Sequence, residues 1–503
     1  MNILTQSQGY IFLLAFGILM IGLTIIVSKN KIWTDSQVGF LKAGSNVKWG
    51  IGSFSIAASW IWAPALFVSV QKSYELGLSG MFWFTIPNIV AIVIFAFLAP
   101  KIRKRLPGGY TLPDWIRYRF KDERIHKIYL FIFFWYQIMA ITVQIFVGGL
   151  LISFLTGISL DIVMIILSII SLSYALISGL RASIVTDFLQ MIMIYGVGII
   201  IIPWTIYEGG GFAAISKGFG GIQHIDSIMN PGVVYSFGIV TSIGLIAGSI
   251  SDQQYWQRSF AINKGSLAKS FIWGGILFGI VPITLSVLGF MGANPDLNVS
   301  MPVGVELPMI GVAVVGKLLP TWATILFVVM LMSGLSSTLD SGFAAGASLY
   351  AIDAVKLSKL EKEVMSKERL GQDLTNDEDI IKKELDRKTP MRARQAMIGL
   401  AIIGLIMALI VEYVPNFTLD ILWWIFNAIA SMAVVPTVLG LFWDKLSAKG
   451  ILLGFAGSFL GIIIFIYGSA INNTNMIVFS AIFIIMISLI MNLLFPSKER
   501  FQE

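Results

Sequence analysis

The 503-residue sequence is 56% hydrophobic and 13% charged, with a mean hydropathy of +0.84, more apolar content than the core of a water-soluble chain of this length consumes. Its net charge of +7 does not indicate nucleic acid, because a membrane protein collects Lys and Arg in its cytoplasmic loops for topological reasons. The absence of cysteine excludes disulfides and thiolate metal sites, and the two histidines, His126 and His224, fall in different loops, which argues against zinc.

Apolar runs long enough to cross a bilayer occupy approximately 9–28, 47–71, 80–100, 128–156, 159–179, 185–206, 232–250, 270–292, 319–350, 395–413, 418–443, 450–468 and 475–495. This pattern predicts an all-α, multi-pass protein of the inner or plasma membrane with thirteen spans in one integral domain. No Lys or Arg precedes the first run, whereas Lys29, Lys31, Lys42 and Lys48 follow it, the reverse of a cleavable signal peptide. The N-terminus is therefore expected outside and, with an odd number of spans, the C-terminus inside. Alternation of the loops then leaves only Lys72, Lys217 and Lys317 of the 35 Lys and Arg on the outer side.

Span two reads WGIGSFSIAASWIWAPALF, with Gly50, Gly52, Ser53, Ser55, Ser59 and Pro64, and a purely structural span needs no such run. The dense inner loop from Lys101 to Lys127 follows span three. Span six opens on GLRASIVTDFLQ, where Asp187 is either a hydrated helix-start residue or part of a cation relay. Span seven, YSFGIVTSIGLIAGSISDQ, with Gly238, Ser242, Gly244 and Gly248, lies five spans after span two. That spacing is the one expected of a five-plus-five inverted repeat whose first helices are broken at mid-membrane, where unwound carbonyls can coordinate a cation. Span nine, MSGLSSTLDSGFAAGASLYAID, sets Ser336, Ser337, Thr338, Asp340 and Ser341 within two turns. Hydroxyls plus one carboxylate suit sodium better than a soft metal, the alternative being hydroxyls bonded to their own i−4 carbonyls. The charged stretch from Lys356 to Arg394 is expected to be a solvated cytoplasmic helix or a flexible linker. Trp60 and Trp62, beside the expected break, either anchor the bilayer interface or wall a pocket.

Four stretches, GGYTLPDWIRYRF from Gly108, SGLRASIVTDFLQ from Ser178, SDQQYWQRSFA from Ser251 and SSTLDSGFAAGASLYAID from Ser336, resemble the sodium:solute symporter family in order and over nearly the whole chain. The resemblance implies the LeuT-type fold, with repeat 1 at 47–206 and repeat 2 at 232–443. The helix at 9–28 precedes the repeats and two helices at 450–495 follow them. It implies a sodium site of backbone carbonyls from Ala58, Ile61 and Gly334 and the hydroxyls of Ser337 and Thr338. Where family members hold a second sodium, the position maps to Asp187, Ser337, Asp340 and Ser341. Asp340 stands where those relatives carry Ser, so it either tightens the ion, admits a proton, or pairs within the bundle.

The function implied is sodium-coupled import of a small neutral or zwitterionic solute by alternating access, with Na+ as the only cofactor. The solute pocket is expected between spans two, four, seven and eleven, from Ser59, Trp60, Trp62, Tyr136, Gln137, Ser242, Trp424 and Asn427. SWIWA from Ser59 and GLSGMFWF from Gly77 resemble the urea-transporting branch. A sodium or solute channel and a transporter-like sensor are the alternatives. Neither paired catalytic acids nor a histidine cluster favours a membrane-embedded enzyme.

Overall fold

The computed structural model describes residues 4–28, 36–177, 179–299, 301, 306–414 and 419–501. Lys29 and Lys31, used above for orientation, lie outside them, as does Ser178. Among the described residues the chain is helical, with one isolated bridge between Val47 and Ile262. In chain order the helices are α1 (Gln6–Val27), α2 (Gln37–Lys42), α3 (Trp49–Trp60), α4 (Ser69–Val93), α5 (Phe95–Arg105), α6 (Leu112–Phe120), α7 (Glu123–Thr156), α8 (Leu160–Ile177), α9 (Leu180–Glu208), α10 (Gly211–Ser216) and α11 (Pro231–Val233). The second part of the chain holds α12 (Ile239–Ser251), α13 (Gln253–Ala261), α14 (Leu267–Ala293), α15 (Ile310–Leu318), α16 (Thr321–Leu349), α17 (Lys359–Leu370), α18 (Asn376–Tyr413), α19 (Leu419–Phe442), α20 (Ala448–Ala470) and α21 (Thr474–Leu494).

Twelve of the described segments are long and apolar enough to cross a membrane. One of them, Pro64–Arg105, has 42 residues and is interrupted at Gly77, whose φ of 61° and ψ of −141° no helix contains. The position needs glycine on two counts. Positive φ penalises a Cβ, and a Cβ there would stand 1.9 Å from the Phe219 carbonyl oxygen. The same turn is sewn to the loop before α11 by Leu78 N–H to Phe219 O and Ile222 N–H to Tyr74 O.

Burial sorts the helices by role. The apolar windows of α7 and of the segment holding α16 are 83% and 78% buried, against 28% for α1 and 33% for α21. The first two therefore form the centre, while α1 and α21 present Ile11, Leu14, Ile18, Leu493 and Leu494 outward, as lipid contact requires. Small residues from Ser333 to Ala347 let the neighbours of α16 approach its backbone closely.

The stretch from Lys356 to Arg394 is helical and largely exposed rather than a flexible linker, but it is not free. Two capping boxes start its helices, Ser358 with Glu361 and Thr375 with Glu378, and Gly371 in the left-handed region closes α17. The hairpin docks on the loop between α5 and α6. Arg369 pairs with Asp114 at 2.8 Å, its carbonyl accepts from Gly108 N–H at 2.8 Å, and Glu368 accepts from Tyr110 at 3.1 Å. Val364 and Met365 are buried beneath it. Beside this contact, buried Asp353 at the end of the ninth span receives His126 Nε2 at 3.0 Å and the Thr111 hydroxyl at 2.7 Å.

Candidate functional site

The second span is broken as expected. α3 stops at Trp60, Ile61 leaves the helical region with ψ of 66°, and a π turn resumes at Pro64. Proline supplies no N–H to the preceding turn, so the ladder cannot close across it. The freed backbone groups find side chains instead: Ala63 N–H donates to Gln144 of α7 at 2.8 Å, and the Ile61 carbonyl accepts from the Thr338 hydroxyl of α16 at 3.0 Å. Irregular backbone in a membrane bundle survives only when it is satisfied in this way.

The seventh span is also broken, but not within its glycine run. α12 continues through Gly244 and Gly248, and the break falls at Asp252 (φ −87°, ψ 111°), whose carboxylate caps α13 at Gln254 N–H, 2.8 Å. The signal was the Asp followed by polar QQ, a helix-start pattern, rather than the glycines. Those glycines make room: a Cβ at Gly248 would lie 2.4 Å from the Tyr136 hydroxyl and 3.1 Å from the Asn427 amide oxygen.

Around the first break, Gly334 faces the unwound strand, where a Cβ would meet Leu66 at 2.8 Å and Ile61 at 3.2 Å. Ala58, Ile61, Gly334, Ser337 and Thr338 are thus brought to one place, all buried. The Ser337 hydroxyl donates to Asp187. The second predicted group is also gathered, about a residue not anticipated. Arg258 of α13, fully buried, bonds Asp187 Oδ2 at 2.9 Å, the Ser341 hydroxyl at 2.7 Å, the Ser55 hydroxyl at 3.0 Å and the Gln254 carbonyl at 3.1 Å. Asp340 stands next to this pair and accepts from Thr186 at 3.4 Å. The arginine was legible in SDQQYWQRSFA as a charge set in a largely apolar context, the kind that seeks an acid partner.

A small cavity, ≈ 20 Å³, lies between the two breaks, lined by Trp60, Trp62, Phe84, Asn88, Tyr136, Leu245, Trp423 and Asn427. On that measure it has room for a water-sized guest. Rings make its walls, with Trp60 and Trp62 5.6 Å apart at the centroids, Trp62 and Tyr136 5.4 Å, and Trp60 stacked on Tyr255 at 5.1 Å. Asn88 orients Trp60 through a 2.8 Å bond. Of the expected lining, Trp60, Trp62, Tyr136 and Asn427 face the cavity. Ser59 and Ser242 bond backward to Ile56 and Gly238 carbonyls, Gln137 turns to Asp252, and Trp424 lines a neighbouring gap with Phe465 while Trp423 takes its place. Asn88 was missed although it is the one amide in an apolar third span, a departure of the kind that marks a bundle interior.

Two broken spans facing a hydroxyl-rich central helix, with a small ring-walled pocket between them, define a multi-pass membrane protein of the solute-symporter class. The sequence profile of the sodium:solute symporter family matches residues 40–375, and the chain belongs to that family. It is 25% identical over 406 residues to a protein designated probable urea active transporter 1 of Schizosaccharomyces pombe, covering 74% of this chain and 59% of the relative. It is 21% identical over 504 residues to the urea-proton symporter DUR3 of Oryza sativa subsp. japonica, covering 92% and 66%. The chain thus spans about three-fifths to two-thirds of the length of these relatives. Among solved structures, a substrate-bound, outward-open Na+-coupled sialic acid symporter superposes with a TM-score of 0.74 at 17% identity, covering 98% of this chain and 99% of that one, which establishes the fold.

Proposed function

We propose that this protein imports a small uncharged amide, urea being the best-supported candidate, by sodium-coupled alternating access. In this reading the chain crosses the membrane thirteen times, Gly77 dividing the second span from the third, with the N-terminus outside and the C-terminus inside. The observation that carries the cation site is the bond from the Thr338 hydroxyl to the Ile61 carbonyl. It joins the oxygen-rich face of α16 to the one unwound stretch of the second span. A sodium ion there would take the carbonyls of Ala58, Ile61 and Gly334 and the hydroxyls of Ser337 and Thr338, all hard oxygen donors. At the possible second site, Asp187, Ser337, Asp340 and Ser341, the guanidinium of Arg258 pairs with Asp187, which leaves Asp340 as the carboxylate that a second sodium would meet.

Energy enters through the ion, at about 2.3 kcal/mol per charge for each 100 mV of membrane potential. Sodium fastens α16 to the broken span, which completes the pocket and raises solute affinity. Closure then follows, and low internal sodium favours release. The solute class follows from the lining: Asn88 and Asn427 offer amide donors and acceptors, flat rings offer faces, and no charged side chain is among the lining residues. The urea transport named for both relatives supports the same solute. The test is uptake of radiolabelled urea into proteoliposomes. Accumulation that requires an inward sodium gradient supports the reading, and equal uptake with sodium replaced by choline removes it.

A further inference from the structure

The break in the seventh span holds a carboxyl that the sodium site does not use. Asp252 is fully buried, and so is Gln137 of α7, whose Nε2 donates to Asp252 Oδ1 at 2.9 Å. The same oxygen also receives Gln254 N–H at 2.8 Å. Among the described residues the second oxygen, Oδ2, has no partner, and neither has the Gln137 amide oxygen. Two orphaned acceptors therefore belong to two planar groups that already touch. Buried acceptors left unpaired are costly, and an ionised carboxylate more so.

One hydrogen relieves both. A carboxylic acid and a primary amide pair through two parallel bonds, N–H to one carboxyl oxygen and O–H from the other to the amide oxygen. The nearby charges do not supply the missing donor. Arg258, which acts on Asp252 from α13, has committed its guanidinium to Asp187, Ser341, Ser55 and the Gln254 carbonyl. Asp340 on α16 adds a like charge at Thr186, Arg103 on α5 is bonded to the Phe260 carbonyl, and α19 carries no charged residue from Leu422 to Phe442. Tyr136 of α7 and Tyr255 of α13 are the remaining titratable groups that Asp252 influences.

We propose that Asp252 is a proton site: Oδ2 takes a proton from the outer water, shares it with the Gln137 amide oxygen while the pocket is closed, and gives it to the inner water on opening. The proton enters with the solute and leaves with it, forming and breaking one O–H bond. This rests on the symport reading and adds a second coupling ion to it. Its location suits the role, because Asp252 sits at the hinge between α12 and α13 and one residue in sequence from Ser251, which is tied to the Ala430 carbonyl of α19 at 3.0 Å.

The experiment uses the full chain in liposomes containing a pH dye, with equal sodium on both sides, so that the pocket is complete but no sodium gradient drives uptake. Wild type should acidify the lumen when urea is added outside, and an inward gradient of one pH unit should drive up to about tenfold accumulation at one proton per solute. Asp252→Asn keeps the helix cap; it should exchange urea at a rate within about twofold of wild type yet neither acidify the lumen nor accumulate. Accumulation undiminished in that variant would reduce Asp252 to a structural cap and overturn the proposal. Infrared difference spectra between acid and alkaline pH provide a readout that needs no solute. Wild type should show a protonated-carboxyl C=O band that Asp252→Asn abolishes and Gln137→Leu shifts to higher frequency. A sodium ion at this pair would leave the carboxyl ionised and the band missing from wild type, which also overturns the proposal. If wild type moves no urea, the symport reading fails while the band still decides the proton site.

Discussion

Arg258→Met is the sharpest perturbation the structure offers. Methionine keeps the length and apolar stem of the arginine but removes the cation bonded to Asp187. The arginine makes four bonds of 2.7 to 3.1 Å, and both members of the ion pair are fully buried. Removing one partner of such a pair leaves an uncompensated charge, at a cost of about 3–5 kcal/mol, whereas replacing both partners by apolar residues is often near neutral. The single variant should therefore lose roughly two to four decades in its unfolding equilibrium. Asp187→Leu combined with Arg258→Met should regain most of that loss. The assay is thermal or denaturant unfolding of the purified protein in detergent, in sodium chloride and again in choline chloride. Equal destabilisation of the single and double variants would refute the pair as an energetic unit. A single variant restored to wild-type stability by sodium alone would show that an inorganic ion can take the place of the guanidinium.

Three other outcomes follow from the same geometry. Thr338→Ala and Ser337→Ala each remove one oxygen from the assigned cation site and should raise the sodium concentration for half-maximal uptake by about 5- to 10-fold, the worth of one modest bond; unchanged sodium dependence in both would withdraw the assignment. Asn88→Ala releases the Trp60 indole and leaves its N–H unpaired, so the urea concentration for half-maximal uptake should rise about tenfold, with melting temperature as a control for folding. Gly77→Ala forces a Cβ into the Phe219 carbonyl at a positive φ and should cost roughly 2–4 kcal/mol of stability, read from unfolding in detergent.

Much of this architecture was written in the sequence where physics leaves few choices. A bilayer demands apolar runs of fixed length, and Pro64 removes a backbone donor just after a stretch of small residues, so the spans and the first break were legible. Hydroxyls in a central helix were equally visible in the ninth span. The second break was misplaced because glycine in a membrane helix marks close approach as often as unwinding. At Gly248 the neighbour was the Tyr136 hydroxyl, which no local pattern reveals. Arg258 escaped assignment for a different reason: its partners Asp187, Ser55 and Ser341 come from three other helices. Only the assembled bundle shows that Asp187, one of the two acids at the expected second ion site, is paired with a guanidinium. The docked hairpin was missed because mixed charge resembles a linker until Asp114 and Tyr110, some 250 residues earlier, are seen to receive it.

That hairpin has a mechanical consequence. It bolts helix ends from both halves of the molecule together, through Gly108, Tyr110 and Asp114 on one side and Glu368 and Arg369 on the other. Tyr110 and Asp114 are buried in that contact, so opening it breaks a buried ion pair at a cost of about 3–5 kcal/mol. The two halves are therefore clamped together at this end until the pair at Asp114 is broken.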